Sequence, residues 1–173
     1  MTYTQEFSSP LGKILLAADD VGLTGMWFET QKHFAFRLPA EVEARETPIL
    51  ADTKRWLDVY FTGREPDFTP PLHPAGSPFR QAVWQLLLEI PYGQTTTYGA
   101  LAKRLGGVRM SAQAVGGAVG HNPISIIVPC HRVVGANGSL TGYAGGLDRK
   151  IRLLEIEQTD MHGLFRAKKG TAI

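Results

Sequence analysis

Five prolines, Pro66, Pro70, Pro71, Pro74 and Pro78, fall within thirteen positions of this 173-residue chain. Proline has no N–H to donate and a fixed φ, so neither a helix nor a central strand runs through such a stretch. The chain is therefore expected to fold as two bodies, with the boundary near residues 70–77. We place an N-terminal unit at 1–74, a second unit at 75–162, and a basic disordered tail at 163–173. The two sides differ in charge. Residues 1–76 carry 7 Lys+Arg against 11 Asp+Glu, and residues 77–173 carry 11 against 5. A basic second unit suggests a polyanionic partner.

The patterns differ as well. Before the prolines, Tyr3 to Phe7, Ile14 to Ala18 and Leu23 to Phe28 read as strands separated by turns at Ser8–Gly12 and Asp19–Gly22, an antiparallel β arrangement. One helix follows, capped by Thr47 with Pro48 in its first turn. Leu50, the stem of Lys54, Leu57 and Phe61 share its face, and Gly63 stops it. After the prolines the periodicity is helical. Ser77-Pro78 opens a helix with Phe79, Val83, Leu86, Leu87 and Ile90 inward. Thr97 to Leu105 forms a second, broken by Gly106-Gly107. Ser111 caps a third, Ala112 to about Val119, and the outline is that of a helix-turn-helix. That third helix is nearly bare: Ala112, Ala114, Gly116, Gly117, Ala118 and Gly120. Interior glycine costs roughly 0.5–1 kcal/mol relative to alanine, so something comes close to this backbone, either another helix or a nucleic acid. A last helix runs from Asp148 to Glu157.

Cysteine occurs once, at Cys130, inside Ile126-Ile127-Val128-Pro129-Cys130-His131-Arg132-Val133-Val134. The segment reads as a strand. A thiol placed beside an imidazole and a guanidinium is suited to nucleophilic chemistry, because nearby positive charge favours the thiolate. One cysteine allows no internal disulfide and no zinc site with two thiolates, which fits a reducing, cytoplasmic setting. No run approaches the ~20 apolar residues that span a bilayer, and the first residues lack the pattern of a secretory signal.

The segment Ile127-Val128-Pro129-Cys130-His131-Arg132-Val133 is very similar to the signature of the DNA repair methyltransferases that move alkyl groups from 6-O-alkylguanine onto their own cysteine. Phe79 to Trp84, Pro91 to Gln94, Tyr98 to Ala102, Ala114-Val115-Gly116, Asn122-Pro123, Thr141 to Gly146 and Lys150 to Glu157 extend the match in family order. The resemblance implies an α/β plus α fold: a ribonuclease-H-like N-terminal domain with a small antiparallel sheet, and a helical, winged-helix-like C-terminal domain with a helix-turn-helix. It implies a single-turnover reaction without cofactor or metal. Cys130 is the implied nucleophile, His131 the base acting through a water, Glu157 the residue that orients His131, and Asn122 the holder of the turn. Tyr98, Val133, Tyr143, Ala144 and Lys150 are implied to meet the base, with Ser125 and Thr141 shaping the alkyl pocket. Ser111, Ala112, Gln113, Ala114, Gly116 and Arg132 are implied to meet DNA through the minor groove. The expected partner is double-stranded DNA carrying an alkylated guanine, bound by a monomer, with cooperative binding on DNA left open. The target atom lies inside the duplex, so the base must flip out.

One departure stands out. Relatives place an arginine in the base stack where this chain has Gln113, which is shorter, uncharged and lacks the stacking plane. Two other readings compete. A non-enzymatic lesion sensor would flip and flag the base, but such relatives lack the cysteine. A Cys-His hydrolase would need an oxyanion hole and turnover.

Overall fold

A hairpin starts the molecule. Strand β1 (Tyr3–Ser9) turns back into β2 (Gly12–Ala18) with Ser9 paired to Gly12 and Tyr3 to Ala18. The Ser9 hydroxyl donates to the Gly12 carbonyl at 2.6 Å and accepts from Leu11 N–H, and Gly12 takes φ +121°, a value that favours glycine. Strand β3 (Leu23–Phe28) pairs antiparallel with β2. Gly25 is required there for space: a Cβ would lie 1.9 Å from the Trp27 ring on the same face. The short β4 (Glu43–Ala44) adds to β1 in parallel, so the sheet, in order β3-β2-β1-β4, is mixed and not purely antiparallel. Two exposed residues give β4 no hydrophobic alternation, which is why the sequence did not disclose it.

The computed structural model describes residues 1–106 and 111–166. Helix α1 (Pro48–Tyr60) is capped as expected, Thr47 Oγ1 accepting from Leu50 N–H. Its buried face differs from the expected stripe: Leu50, Thr53, Trp56, Leu57 and Tyr60 turn inward. Trp56 and Tyr60 stack at 5.2 Å between centroids. Two aromatics one turn apart bury far more apolar area than a lysine stem, and Lys54 instead reaches Gln5 and Glu46. The proline stretch is built into this unit: Leu23 N–H donates to the Pro71 carbonyl and His73 N–H to the Leu23 carbonyl, each at 2.7 Å. The other half of the β3 edge takes a segment from far along the chain. Met26 N–H donates to the Pro123 carbonyl, and Ser125 N–H to the Met26 carbonyl. One compact unit is therefore Met1–Ala75 together with Pro123–Ile127, and the other is Gly76–Asn122 together with the chain from Val128.

In the second unit, Ser77 caps helix α2 (Pro78–Leu87), which buries Val83, Trp84 and Leu87. Strand β5 (Thr96–Thr97) leads into α3 (Tyr98–Gly106), and α4 (Ala112–Gly120) completes the helix-turn-helix. Gly107, expected to help break α3, lies outside the described residues. Trp84 ties α4 down, its indole N–H donating to the Ala118 carbonyl at 2.9 Å. A one-turn 3₁₀ helix (Cys130–Arg132) precedes β6 (Val133–Val134), which pairs parallel with β5. Strand β7 (Ser139–Leu140), helix α5 (Leu147–Ile156) and strand β8 (Phe165–Arg166) close the unit around Val134, Leu140 and Leu154. The expected tail thus begins with ordered backbone, β8 pairing with β7; residues 167–173 lie outside the described residues.

Candidate active site

The reactive segment is not a strand. Pro129 has φ −84° and ψ 65°, and Cys130 N–H turns back onto the Val128 carbonyl at 2.8 Å. Proline cannot donate to a ladder, so the chain coils through Cys130, His131 and Arg132 before β6 begins. Upstream, Asn122 Nδ2 donates to the Val128 carbonyl at 2.8 Å, tying the end of α4 to the approach of the cysteine. Four residues before the cysteine, buried Ile126 holds φ +71° while Ile127 N–H bonds the Ser125 carbonyl at 2.9 Å. Such a γ-turn is strained, and more so at a β-branched residue. Strain of this kind costs on the order of 1–3 kcal/mol and collects at functional sites.

Cys130 is buried, and burial pushes its thiol up from the usual range; a hydrogen bond from Asn122 and the Lys150 charge pull the other way. The expectation that His131 and Arg132 act as cations on the thiol needs correction. Both turn towards Glu157. His131 Nε2 lies 2.5 Å from Glu157 Oε2, and Arg132 Nε donates to Oε1 at 2.8 Å. Gly93 N–H adds a third donor to the carboxylate, at Oε1 and 3.2 Å. Burial raises the Glu157 carboxyl, but the hydrogen bonds from His131 and Arg132 and the Arg132 charge outweigh it and hold it well below the usual carboxylate range. Burial lowers His131, opposed by Glu157 and helped by the Arg132 and Lys150 charges. The imidazole is therefore neutral, with its proton on Nε2 facing Glu157. Nδ1 is left as an acceptor, buried and without a hydrogen-bond partner among the described residues.

Lys150 is the cation that acts on the thiol. It is fully buried, and its ammonium donates to the carbonyls of Val133 at 2.6 Å and Thr141 at 2.8 Å. Burial brings it down to about 8, against the pull of Cys130. Tyr98, also buried, donates its hydroxyl to the same Thr141 carbonyl at 3.2 Å; burial and the Cys130 charge push its ionisation up. Tyr143 sets its ring edge-on to His131 at 6.4 Å between centroids. Val133 is buried and Ala144 half-buried. Ser125 belongs to the first unit, where its hydroxyl donates to Gln31 Oε1 at 3.3 Å.

The helix-turn-helix presents Ser111, Ala112, Gln113, Ala114 and Gly117 to solvent. Ser111 spends its hydroxyl as the N-cap, accepting from Ala114 N–H at 3.0 Å. Gly116, grouped with the outward residues from sequence, is buried on the inner face with Val115, Ala118 and Val119. The outward glycine is Gly117, where a Cβ would meet nothing within 4 Å. Among the described residues no contact demands a glycine there. Arg132, assigned by resemblance to DNA, is turned inward instead: its Nη1 donates to the Ile90 carbonyl at 2.7 Å and its guanidinium sits over Tyr92. A guanidinium two residues past the cysteine is drawn to the nearest buried carboxylate, and only long-range folding supplies Glu157 there. Sequence reasoning also missed the Gly93 donor; its one signal was the Pro91-Tyr92-Gly93 turn, where Gly93 takes φ +78°.

A buried thiol thus shares one unit with a histidine–glutamate pair and with a two-helix motif of bare outer face. Models of the 6-O-methylguanine DNA methyltransferases match both parts, the ribonuclease-like domain over residues 2–74 and the DNA-binding domain over residues 78–159. The chain belongs to the 6-O-methylguanine DNA methyltransferase family. It is 48% identical over 155 residues to the methylated-DNA–protein-cysteine methyltransferase of Methanosarcina acetivorans, covering 90% of this chain and 97% of that protein. It is 43% identical to that of Mycobacterium leprae, covering 91% and 93%. Among solved structures it resembles OGT of Mycobacterium tuberculosis in complex with DNA, with TM-score 0.80, 40% identity and 90% and 92% coverage. The O6-methylguanine DNA methyltransferase of Methanococcus jannaschii is similar with TM-score 0.64, 28% identity and 98% and 99% coverage. Among the described residues no helix is long and apolar enough to cross a membrane.

Proposed function

We propose that the chain repairs duplex DNA by taking the alkyl group of a 6-O-alkylguanine onto Cys130, once per molecule. The observation that carries this reading is the His131–Glu157 pair: Glu157 occupies Nε2 and leaves Nδ1 a buried proton acceptor beside the reactive turn. In a 3₁₀ turn successive side chains diverge by about 120°, and in this reading one water links Nδ1 to the thiol.

The thiol passes its proton through that water to His131. Sγ then bonds the alkyl carbon as the carbon–O6 bond breaks, and the electron pair goes to guanine. Tyr98 or Lys150 donates a proton to the leaving base, and the imidazolium proton restores the donor. The products are a thioether and guanine, and the thiol proton ends on the base. A methyl on oxygen is a poor electrophile, so this proton transfer and the stabilised leaving group carry the rate. Burial keeps the resting thiol protonated, which spares it from stray electrophiles until the relay acts. Asn122 holds the turn, and Val133, Tyr143 and Ala144 line the base site. The outward face of α4, Ser111, Ala112, Gln113 and Ala114 with Gly117, lies in the minor groove, where close backbone approach binds by shape without reading sequence. The protein acts as a monomer, with residues 1–74 as the supporting ribonuclease-like domain and 75–162 as the transfer domain.

Intact-protein mass spectrometry after incubation with a methylated oligonucleotide tests this. One methyl per protein is expected, located on Cys130, and none in Cys130→Ser, which should still bind DNA. No transfer by the wild type would favour a lesion sensor, and repeated turnover a hydrolase.

A further inference from the structure

The reaction above gives no task to the Arg132 guanidinium, although it is among the most thoroughly placed groups in the second unit. Its side chain is 10% exposed. It contacts Glu157 Oε1, the Ile90 carbonyl and the Tyr92 ring. The turn that supplies Ile90 and Tyr92 also supplies Gly93, the other donor to Oε1. Among the described residues the guanidinium's partners are thus Glu157 and the turn that holds Glu157. Glu157 Oε2 is left to His131.

We propose, resting on the alkyl-transfer reading, that Arg132 is a positioning residue: by binding Glu157 Oε1 it fixes that carboxylate and keeps His131 a neutral base with its proton on Nε2. A buried carboxylate without a matching cation would draw a second proton onto the imidazole beside it. An imidazolium has two donors and no acceptor, so its Nδ1 could not take the thiol proton. The groups facing His131 are Glu157, Arg132, Lys150, the Cys130 thiol and the Tyr143 ring edge. Glu157 alone carries negative charge at rest, and Arg132 is the cation bonded directly to it.

The test uses the full chain with Arg132→Gln and Arg132→Lys. Side-chain ¹⁵N NMR follows the protonation of His131, and intact mass follows alkylation of Cys130 by a free alkylated guanine, between about pH 6 and 9. Arg132→Gln should raise the His131 midpoint by about one unit or more. Its rate should fall about tenfold against wild type near neutral pH and climb back as pH passes the new midpoint. Arg132→Lys keeps the charge and should return the midpoint most of the way; it also serves if Arg132→Gln does not fold. An unmoved midpoint with the same fold-loss at every pH would reduce Arg132 to a structural clamp and overturn the proposal. A faster reaction near neutral pH in Arg132→Gln would overturn it too, because the working pair would then be thiolate and imidazolium. If the wild type takes no alkyl group, the alkyl-transfer reading fails, while the His131 midpoint still decides the role of Arg132.

Discussion

Lys150→Met should change how stability depends on pH, and the structure gives the size. The ammonium is fully buried and is held at about 8, against 10.5 for a free lysine. The folded state therefore gives up the proton first as pH rises, and between these values the unfolded chain binds more protons. Stability then rises with pH across that window. The difference between the two values corresponds to roughly 3 kcal/mol at about 1.4 kcal/mol per unit. Between about pH 7 and 10, roughly 2 kcal/mol of it is regained. Methionine has no proton to lose and fills a similar volume, so the variant lacks this term. It also lacks the bonds to Val133 and Thr141. The Thr141 carbonyl keeps Tyr98, and losing the ammonium's bond to the Val133 carbonyl costs about 1–3 kcal/mol. Near neutral pH the loss and the relief from desolvation should nearly cancel. The measurement is denaturant unfolding of both proteins at about pH 7, 8.5 and 10. The wild type should gain on the variant by about 2 kcal/mol over that range. A gap that stays constant would mean that Lys150 titrates alike in both states, and the account of its burial would be wrong.

Glu157→Gln should slow alkylation of Cys130 by free alkylated guanine by about 10²–10⁴-fold, the worth of a positioned acid–base group; an unchanged rate would refute the relay. Gln113→Arg should speed repair of duplex DNA and tighten duplex binding while leaving the free base unaffected, because only the duplex reaction requires a base to leave the stack. Equal single-turnover rates for wild type and variant on duplex would refute the reading that Gln113 stands where relatives place an arginine in the base stack. Gly117→Ala should stabilise the fold by roughly 0.5–1 kcal/mol, since its Cβ meets nothing, yet weaken binding to duplex DNA. A variant that is more stable and binds equally well would remove α4 from the DNA face. Duplex affinity should fall as salt rises, with little sequence preference; titration at several salt concentrations with two unrelated duplexes checks it.

Much of the site could be read in the chain because its signals are local. Pro129-Cys130-His131-Arg132, the Thr47, Ser77 and Ser111 caps, and the bare α4 each depend on neighbours within a few positions. Those features set the helix starts, the reactive residue and the family. Other features needed contacts between distant segments. Strand β4 has two exposed residues and exists only because β1 offers it an edge. The Pro123–Ile127 segment joins the first unit only through the edge of β3. Spacing alone did not select the buried face of α1 either. Trp56 and Tyr60 took the inward positions in place of the Lys54 stem, because aromatic area outweighs a chain of methylenes.

The charged network shows the division most clearly. Sequence alone determined that a thiol, an imidazole and a guanidinium lie side by side, and adjacency suggested that both cations serve the thiol. Tertiary structure decided otherwise. It brought Glu157, twenty-six positions on from His131, and Lys150, from α5, into the same buried interior. A charge removed from water must find an opposite charge or lose its own, so Arg132 and His131 turned to the carboxylate and Lys150 became the cation acting on the thiol. Adjacency along a chain fixes which groups are near; burial decides which of them must pair.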